Sequence, residues 1–356
     1  MTEVRALVWT GGPRFEQRCF PLPELTPGEL LVRVRTAAIC GSDRHTVEGR
    51  RDAPCPGVLG HEGVGEVVAV GPTTPGLSAP RDLDGALVLP GDRVVWSVVS
   101  ACRDCDRCIA GHGAKCRRLR KAGHEGLDST WPLSGSYASH VVLPAGHPVV
   151  HVPAEVADGP AAIAACAGAT VMASLAAAPA PLRGLRVLVS GVGMLGLLAI
   201  AAARAEGAAE IHAIDPSAAR RALAREAGAS GVSAPSADVS GLRGTADLAL
   251  EFSGASGGVA AAIEALDVGG TAVLAGSVFP GSGVLLDPEQ LVRGRRTVTG
   301  VHNYEPPHLS RAIALLATTA GRSLPWQELL GSPIALEAVP EAFTTPSAHL
   351  RTLVEP

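Results

Sequence analysis

Four cysteines within fifteen residues limit what this chain can fold into more than any other feature. Cys102, Cys105, Cys108 and Cys116 stand in a C-x2-C-x2-C-x7-C pattern inside the turn-rich, charged stretch ACRDCDRCIAGHGAKC. Two-residue gaps let successive thiolates turn toward one tetrahedral centre, and four thiolates complete a closed zinc shell. Such a shell leaves no position open for water or substrate, so it holds a lobe (about residues 100–118) together and does no chemistry. An iron–sulfur cluster is the rival metal, and a metal-free lobe is the remaining alternative. Among the 8 cysteines the spacing argues against four disulfides, and thiolates kept for metal point to a reducing, cytoplasmic compartment. Cys19 and Cys55 lack ligand-type neighbours and read as packed or surface thiols.

At 356 residues the chain exceeds what one core usually holds, so two domains are expected. The first half reads as short strands (RALVW, ELLVRVRTAAI, GEVVAVG, DRVVWSVV, YASHVVL, PVVHV) punctuated by Gly and Pro, the pattern of an all-β or partly open barrel domain. Between Pro153 and Ala178 the pattern becomes helical and Ala-rich. From Arg186 strands and helices alternate: RVLVS, MLGLLAIAAARAEG, EIHAID, SAARRALAREAG, ADLALEFSG, GVAAAIEALD, TAVLAG, RTVTG. That alternation specifies an α/β domain with a doubly wound parallel sheet. The tail, PHLSRAIALLATT then PIALEAVPEAF, reads as helix and strand returning to the first domain. The expected division is 1–155 with 302–356, and 156–301.

The alternating half contains Gly191-Val-Gly193-Met194-Leu195-Gly196 directly after the apolar strand RVLVS and at the opening of a helix. That context turns a weak G-x-G-x-x-G into a dinucleotide fingerprint. The first Gly allows the tight turn, the second lets backbone approach a pyrophosphate, and the third permits close helix–strand packing. Asp215 ends the next strand, where an acid can bind both adenosine-ribose hydroxyls. A carboxylate there favours NAD over NADP, while Arg220 and Arg221 keep NADP open as the alternative.

A second constellation, Cys40-Gly-Ser42-Asp43-Arg-His45, precedes Gly60-His61-Glu62-Gly63-Val-Gly65. With the four-cysteine lobe, GDR at Gly91–Arg93 and the glycine fingerprint in the same order, the chain resembles the zinc-dependent medium-chain alcohol dehydrogenases over nearly its whole length. The resemblance implies a GroES-like, β-rich catalytic domain and a Rossmann domain. It implies two zinc ions per chain, one structural and one catalytic, with Cys40, His61 and Cys166 (in ACAGAT) as ligands of the catalytic ion. Glu62 matches an acid that approaches that metal, and Asp43 a carboxylate that orients His61. Ser42 and His45 match a proton relay, and Thr170 a contact on the nicotinamide side. The family also implies a homodimer or homotetramer.

The implied reaction is hydride transfer between NAD(H) and a small alcohol or its carbonyl product, with zinc stabilising the alkoxide. DRVVWSVVSAC, KAGHEG and WPLSGSYASHVVLPAG are similar to a subgroup associated with phosphonate metabolism, so a phosphonate-bearing or polyol-like substrate is expected. Val98 is a small residue where the family lines its pocket. Arg117, Arg118, Arg120, Lys121 and His124 form a basic run that is either an anion-reading wall or a solvated face, and Arg44 and Arg50 carry the same ambiguity. The competing readings are a biosynthetic carbonyl or imine reductase using NAD(P)H, and a catalytically silent nucleotide-binding relative. A formal net charge of −4 with scattered Arg argues against a nucleic-acid partner. No membrane partner is expected, because no apolar run reaches the roughly 20 residues that span a bilayer. The start, MTEVRALVWTGG, lacks a signal-peptide pattern.

Overall fold

The computed structural model describes residues 3–73, 79–235 and 240–356. The reading of a leaderless start falls partly on Met1 and Thr2, outside the described residues. The chain divides into two compact units, the first comprising residues up to Ala169 with Glu305–Ala314 and Trp326–Pro356, the second Thr170–Tyr304 with Leu315–Pro325.

The first unit is built on antiparallel strands. Its largest sheet runs in the order Val149–His151, Arg93–Trp96, Glu62–Val70, Leu30–Ile39, Thr352–Glu355, Ile334–Ala335, with His140–Leu143 also pairing with Leu30–Ile39. The central strand, LLVRVRTAAI, buries everything except Arg33 and Arg35, as a strand covered on both faces over most of its length should. The C-terminal strand pairs Leu353 with Ala38 and Val354 with Ala37, so the last residues complete the core sheet. A smaller sheet joins Phe15–Pro21, Glu3–Trp9 and Gly57–Val58. Trp96, Tyr137, Leu59 and Leu143 fill the core beneath. The four-cysteine lobe is pinned at its base by a two-stranded ladder in which Val99 faces Lys121 and Ser100 faces Arg120.

PIALEAVPEAF is strand only at Ile334–Ala335; Leu336–Ala338 is a 3-10 turn and Val339–Thr344 an α-helix. Pro340 sits in that helix's first turn, where a missing N–H costs nothing. The exposed strand Phe15–Pro21 carries too few apolar residues to announce itself.

The second unit is a six-stranded parallel sheet ordered Gly231–Ser233, Glu210–Ile214, Arg186–Ser190, Ala246–Glu251, Leu266–Leu274, Thr297–Gly300. In chain order this is 3-2-1-4-5-6, the doubly wound arrangement. Strand order reverses between Arg186–Ser190 and Ala246–Glu251, and ligands of such sheets bind at the carboxyl ends of the strands flanking that reversal. Gly191 follows the first of those strands.

The helical run Asp158–Ala176 is long and apolar enough to cross a membrane by length and composition, but 83% of it is buried within the protein, as in a core helix.

Candidate metal centres and dinucleotide site

The first unit gathers two sets of metal-type ligands. In the lobe, the sulfurs of Cys102, Cys105, Cys108 and Cys116 all lie within 4.8 Å of one another. Their closest approaches are 3.3 Å (Cys102–Cys116), 3.9 Å (Cys102–Cys108) and 4.0 Å (Cys105–Cys116). A tetrahedral zinc with bonds of about 2.3 Å needs sulfurs about 3.8 Å apart, so the four fit one ion. The lobe is prepared for negative sulfur: the N–H groups of Cys102 and Arg118 donate to Cys116 Sγ at 3.3 and 3.2 Å. Backbone N–H donors also pull Cys105 down to about 6.

The second set is Cys40, His61 and Cys166, whose ligand atoms also lie within 4.8 Å of one another. Three protein ligands leave one position for water or substrate, which separates this centre from the closed lobe. Each ligand is delivered by local structure. Cys40 directly follows the central strand and caps the helix Gly41–Val47. His61 follows Gly60, whose φ is +94°; a Cβ there would come within 2.7 Å of Ser136 Oγ and 2.8 Å of the Tyr137 ring. Only glycine permits that approach and turn. Cys166 lies in the π-helical turn Ala164–Gly168, which interrupts an otherwise α-helical run, a feature often found at functional sites.

Asp43 ties these elements together and is completely buried. Its carboxylate accepts from His61 Nδ1 at 3.1 Å, from Tyr137 Oη at 3.0 Å and from the Cys40 N–H at 3.0 Å. With Nδ1 held as the donor, Nε2 is the nitrogen left to bind metal. In the metal-free protein burial alone would depress His61, but the Asp43 carboxylate outweighs it and His61 is pushed up to about 10. Between the two thiols, the hydrogen bond from Cys166 lowers Cys40 well below its usual value, assisted by Arg351 and His61. Ser42 Oγ lies 3.1 Å from His61 Nε2, at the edge of the open position. His45 is one helical turn further on the same face, 3.7 Å from Glu48, and burial lowers it below 6.5.

Glu62, expected as an acid that approaches the metal, does not join this ligand set. Arg351 holds both its oxygens, Nε at 2.9 Å and Nη2 at 3.5 Å, and the same Nη2 lies 3.6 Å from Cys40 Sγ. Burial pushes Glu62 up to about 8, with Arg351 opposing it. Arg351, missed in the sequence, sits beside the terminal strand and is separated from Glu62 by 289 positions. Tyr137 was also missed, although it lies in the recognised stretch WPLSGSYASHVVLPAG.

The basic run separates into parts. Arg117 pairs with Asp106 and Arg118 with Asp104 on the lobe surface, and Arg120 lies over the Trp131 ring. Arg50 pairs with Glu48, and Arg44 lies over Phe343. His124 instead turns toward the three-ligand centre, its ring 4.9 Å from that of His61, and Lys121 is partly buried and near enough to Cys166 for the thiol to act on its charge. Val98 is buried, and its carbonyl accepts from the Ala122 N–H.

In the second unit the glycine loop is braced from within. Gly191 has φ +92°, and a Cβ there would meet Ser253 N at 2.6 Å; a Cβ on Gly196 would meet Gly191 O at 2.1 Å. A Cβ on Gly193 would meet nothing within 4 Å, so space is open at the start of the helix Met194–Ala205, where unpaired N–H groups favour a phosphate. Met194 is buried, and Leu195 is partly so. Asp215 accepts from Val192 N–H at 2.8 Å and Ser217 N–H at 2.9 Å, which leaves lone pairs for further donors. Arg220 Nη1 is 3.9 Å from it, and Arg221 caps the Asp215 carbonyl at 2.8 Å. Thr170 also belongs to this unit; its side chain is partly exposed and its carbonyl accepts from Ser174 Oγ. The open cradle and the acid beside it fit a dinucleotide.

Residues 26–154 match the alcohol dehydrogenase GroES-like domain family, and residues 195–318 match the zinc-binding dehydrogenase family. The L-threonine 3-dehydrogenase of Pyrococcus furiosus is 31% identical over 300 residues, covering 80% of this chain and 79% of that protein. The chain belongs to the zinc-dependent medium-chain alcohol dehydrogenase family. Among solved structures, an alcohol dehydrogenase from Thermotoga maritima superposes with a TM-score of 0.90 at 28% identity, covering 100% of both chains. A zinc-binding dehydrogenase from Sinorhizobium meliloti, solved bound to NADP, gives 0.85 at 25% identity, also covering 100% of both. Like other medium-chain alcohol dehydrogenases, this chain is a zinc-binding, nicotinamide-dependent oxidoreductase acting on CH–OH groups.

Proposed function

We propose that this dehydrogenase holds two zinc ions per chain and transfers hydride between NAD(H) and a small alcohol, phosphonate-bearing or polyol-like, or its aldehyde or ketone. The observation that carries this reading is the convergence of Cys40, His61 and Cys166 with the Ser42 hydroxyl 3.1 Å from His61 Nε2. Zinc bound there supplies a Lewis acid that makes a bound alcohol easier to deprotonate, and the nicotinamide takes up or gives the hydride.

The remaining work falls to the protein. Asp43 fixes the His61 tautomer and so keeps Nε2 available. Ser42, at the edge of the open position, accepts the alcohol proton as it leaves. His45, held neutral by burial, receives it toward solvent. Gly193 leaves room for the pyrophosphate, Asp215 accepts from the adenosine ribose, and Thr170 lies on the nicotinamide side. Glu62, held by Arg351 beside Cys40, would be the acid nearest a metal bound there. The four-cysteine zinc holds the lobe. Arg220, 3.9 Å from Asp215, favours NADP as the second cofactor reading, and with it the biosynthetic reductase. A cytoplasmic homodimer or homotetramer joined along the edge strand Thr297–Gly300 completes the proposal.

The test is reduced-nicotinamide absorbance with a panel of diols and primary alcohols against NAD and NADP, run on the wild type and on Ser42→Ala. Turnover with NAD that falls in Ser42→Ala supports the reading. Equal turnover by both proteins removes Ser42 from the relay, and a preference for NADP reverses the cofactor assignment.

A further inference from the structure

Among the described residues, two cations near the three-ligand centre, Arg51 and Lys121, have no carboxylate partner in direct contact. The segment after the lobe crosses directly over the metal-ligand turn: a Cβ on Gly123 would lie 2.2 Å from the Gly60 carbonyl. That contact sets the His124 ring against His61. On its other side His124 meets Arg51, whose Nη2 is 3.0 and 3.1 Å from the two ring nitrogens. Lys121, three residues back, is fixed in place by its ladder partner Val99. Its backbone N–H donates to Glu125 Oε1 at 2.8 Å, so that carboxylate is turned to the main chain.

Arg51 and Lys121 are both partly buried, and among the described residues neither has an ion pair within 4.0 Å. The other cations of the neighbourhood are spoken for: Arg50, Arg117 and Arg118 by carboxylates, Arg44 and Arg120 by aromatic rings. Burial lowers Lys121, and Arg51 and Lys115 lower it further, while Cys166 and Glu125 act in the opposite sense. The His124 ring thus lies between Arg51 and the metal-ligand side chain His61.

The ligand set does not call for these charges. A divalent ion held by Cys40, His61 and Cys166 would offset the two thiolates, and Glu62 is paired with Arg351. The carboxylates that remain, Asp43 and Glu125, accept hydrogen bonds from groups other than the Arg51 and Lys121 side chains. Two partly buried cations without a directly bonded carboxylate are stabilised by an anion that joins them.

We propose that Arg51 and Lys121 are specificity-determining residues that bind an anionic group on the substrate, so that this enzyme acts on a small alcohol or aldehyde carrying a phosphoryl or carboxylate group. The proposal rests on the reaction read above and narrows its substrate. A guanidinium fork and an ammonium suit the several oxygens of either anion.

The test compares kcat/KM for 2-hydroxyethylphosphonate, 2-hydroxyethyl phosphate, 3-hydroxypropionate and 1-propanol in the wild type, Arg51→Gln, Lys121→Met and Lys121→Arg. The wild type should prefer at least one anionic alcohol over propanol; which one identifies the anion. That preference should fall about tenfold or more in Arg51→Gln and Lys121→Met, and return largely in Lys121→Arg. Methylphosphonate and acetate, which cannot be oxidised, give a second readout: one should raise the melting temperature of the wild type and do so much less in the charge-removing variants. Two zincs per chain in each variant establish that it is folded. Equal losses on propanol and the anionic alcohols, or equal stabilisation of all variants, would overturn the proposal. Should no alcohol be turned over by the wild type, the reaction is misread, and the melting shifts alone decide the anion site.

Discussion

Asp43→Asn perturbs the three-ligand centre without changing its shape. The wild-type carboxylate accepts three hydrogen bonds and faces donors only: His61 Nδ1, Tyr137 Oη and the Cys40 N–H. An asparagine must point its NH2 group at one side. Turned toward His61, it demands that Nδ1 become an acceptor, which moves the proton to Nε2 and removes the nitrogen a metal needs. Turned toward Cys40 and Tyr137, it leaves the Cys40 N–H without a partner in a fully buried place, at about 1–3 kcal/mol. Loss of such an orienting group typically weakens a metal about 10–100-fold, equivalent to about 1.4–2.8 kcal/mol. The assay is competition with a chromophoric zinc chelator. One of two zincs should become removable at about 10–100-fold less chelator, while the four-cysteine zinc holds at its wild-type value. Unchanged affinity for both, or an equal shift of both, would refute the claim that Asp43 acts through His61.

Other expectations are independent of that one. Cys166→Ala should retain one zinc per chain and lose activity, because the lobe's ligands are untouched; two retained zincs would remove Cys166 from the ligand set. Gly191→Ala forces a side chain onto φ +92° and against Ser253 N, and should destabilise the protein by about 1–3 kcal/mol in urea unfolding. Gly193→Ala meets no protein atom, so stability should hold while the dinucleotide dissociation constant rises about tenfold; a stability loss equal to that of Gly191→Ala would contradict the open cradle. His45, lowered by burial, must be neutral to accept a proton, so kcat/KM for alcohol oxidation should stay level through pH 6.5 and fall only below it. His45→Gln should lose that inflection and about 10²-fold in rate; an unchanged profile would exclude His45 from the relay.

What was legible in the sequence were features whose spacing is local. The four lobe cysteines and the glycine loop announce themselves because a single turn or a strand–helix junction brings their members together. Asp43 and Ser42 were legible through their motif beside Cys40. Arg351 was not, since its contact with Glu62 depends on the C-terminal strand pairing with Leu30–Ile39, a long-range event that leaves no periodicity around one arginine. Arg51 passed unnoticed for the same reason: its role depends on Gly123 abutting Gly60. The basic run could be read only as a block, whereas folding sends Arg117 and Arg118 to the lobe surface and Lys121 inward. PIALEAVPEAF looked extended because its apolar residues suit a strand, but Pro340 in a first helical turn decided otherwise.

The most direct test of the account is reduced-nicotinamide absorbance on mixing the zinc-loaded protein and NAD with 2-hydroxyethylphosphonate, with 1-propanol run alongside. The account predicts hydride transfer to NAD that is faster with the phosphonate and abolished in Cys40→Ser and His61→Ala. Turnover that persists in those two variants would contradict the central claim that the Cys40, His61 and Cys166 centre performs the chemistry.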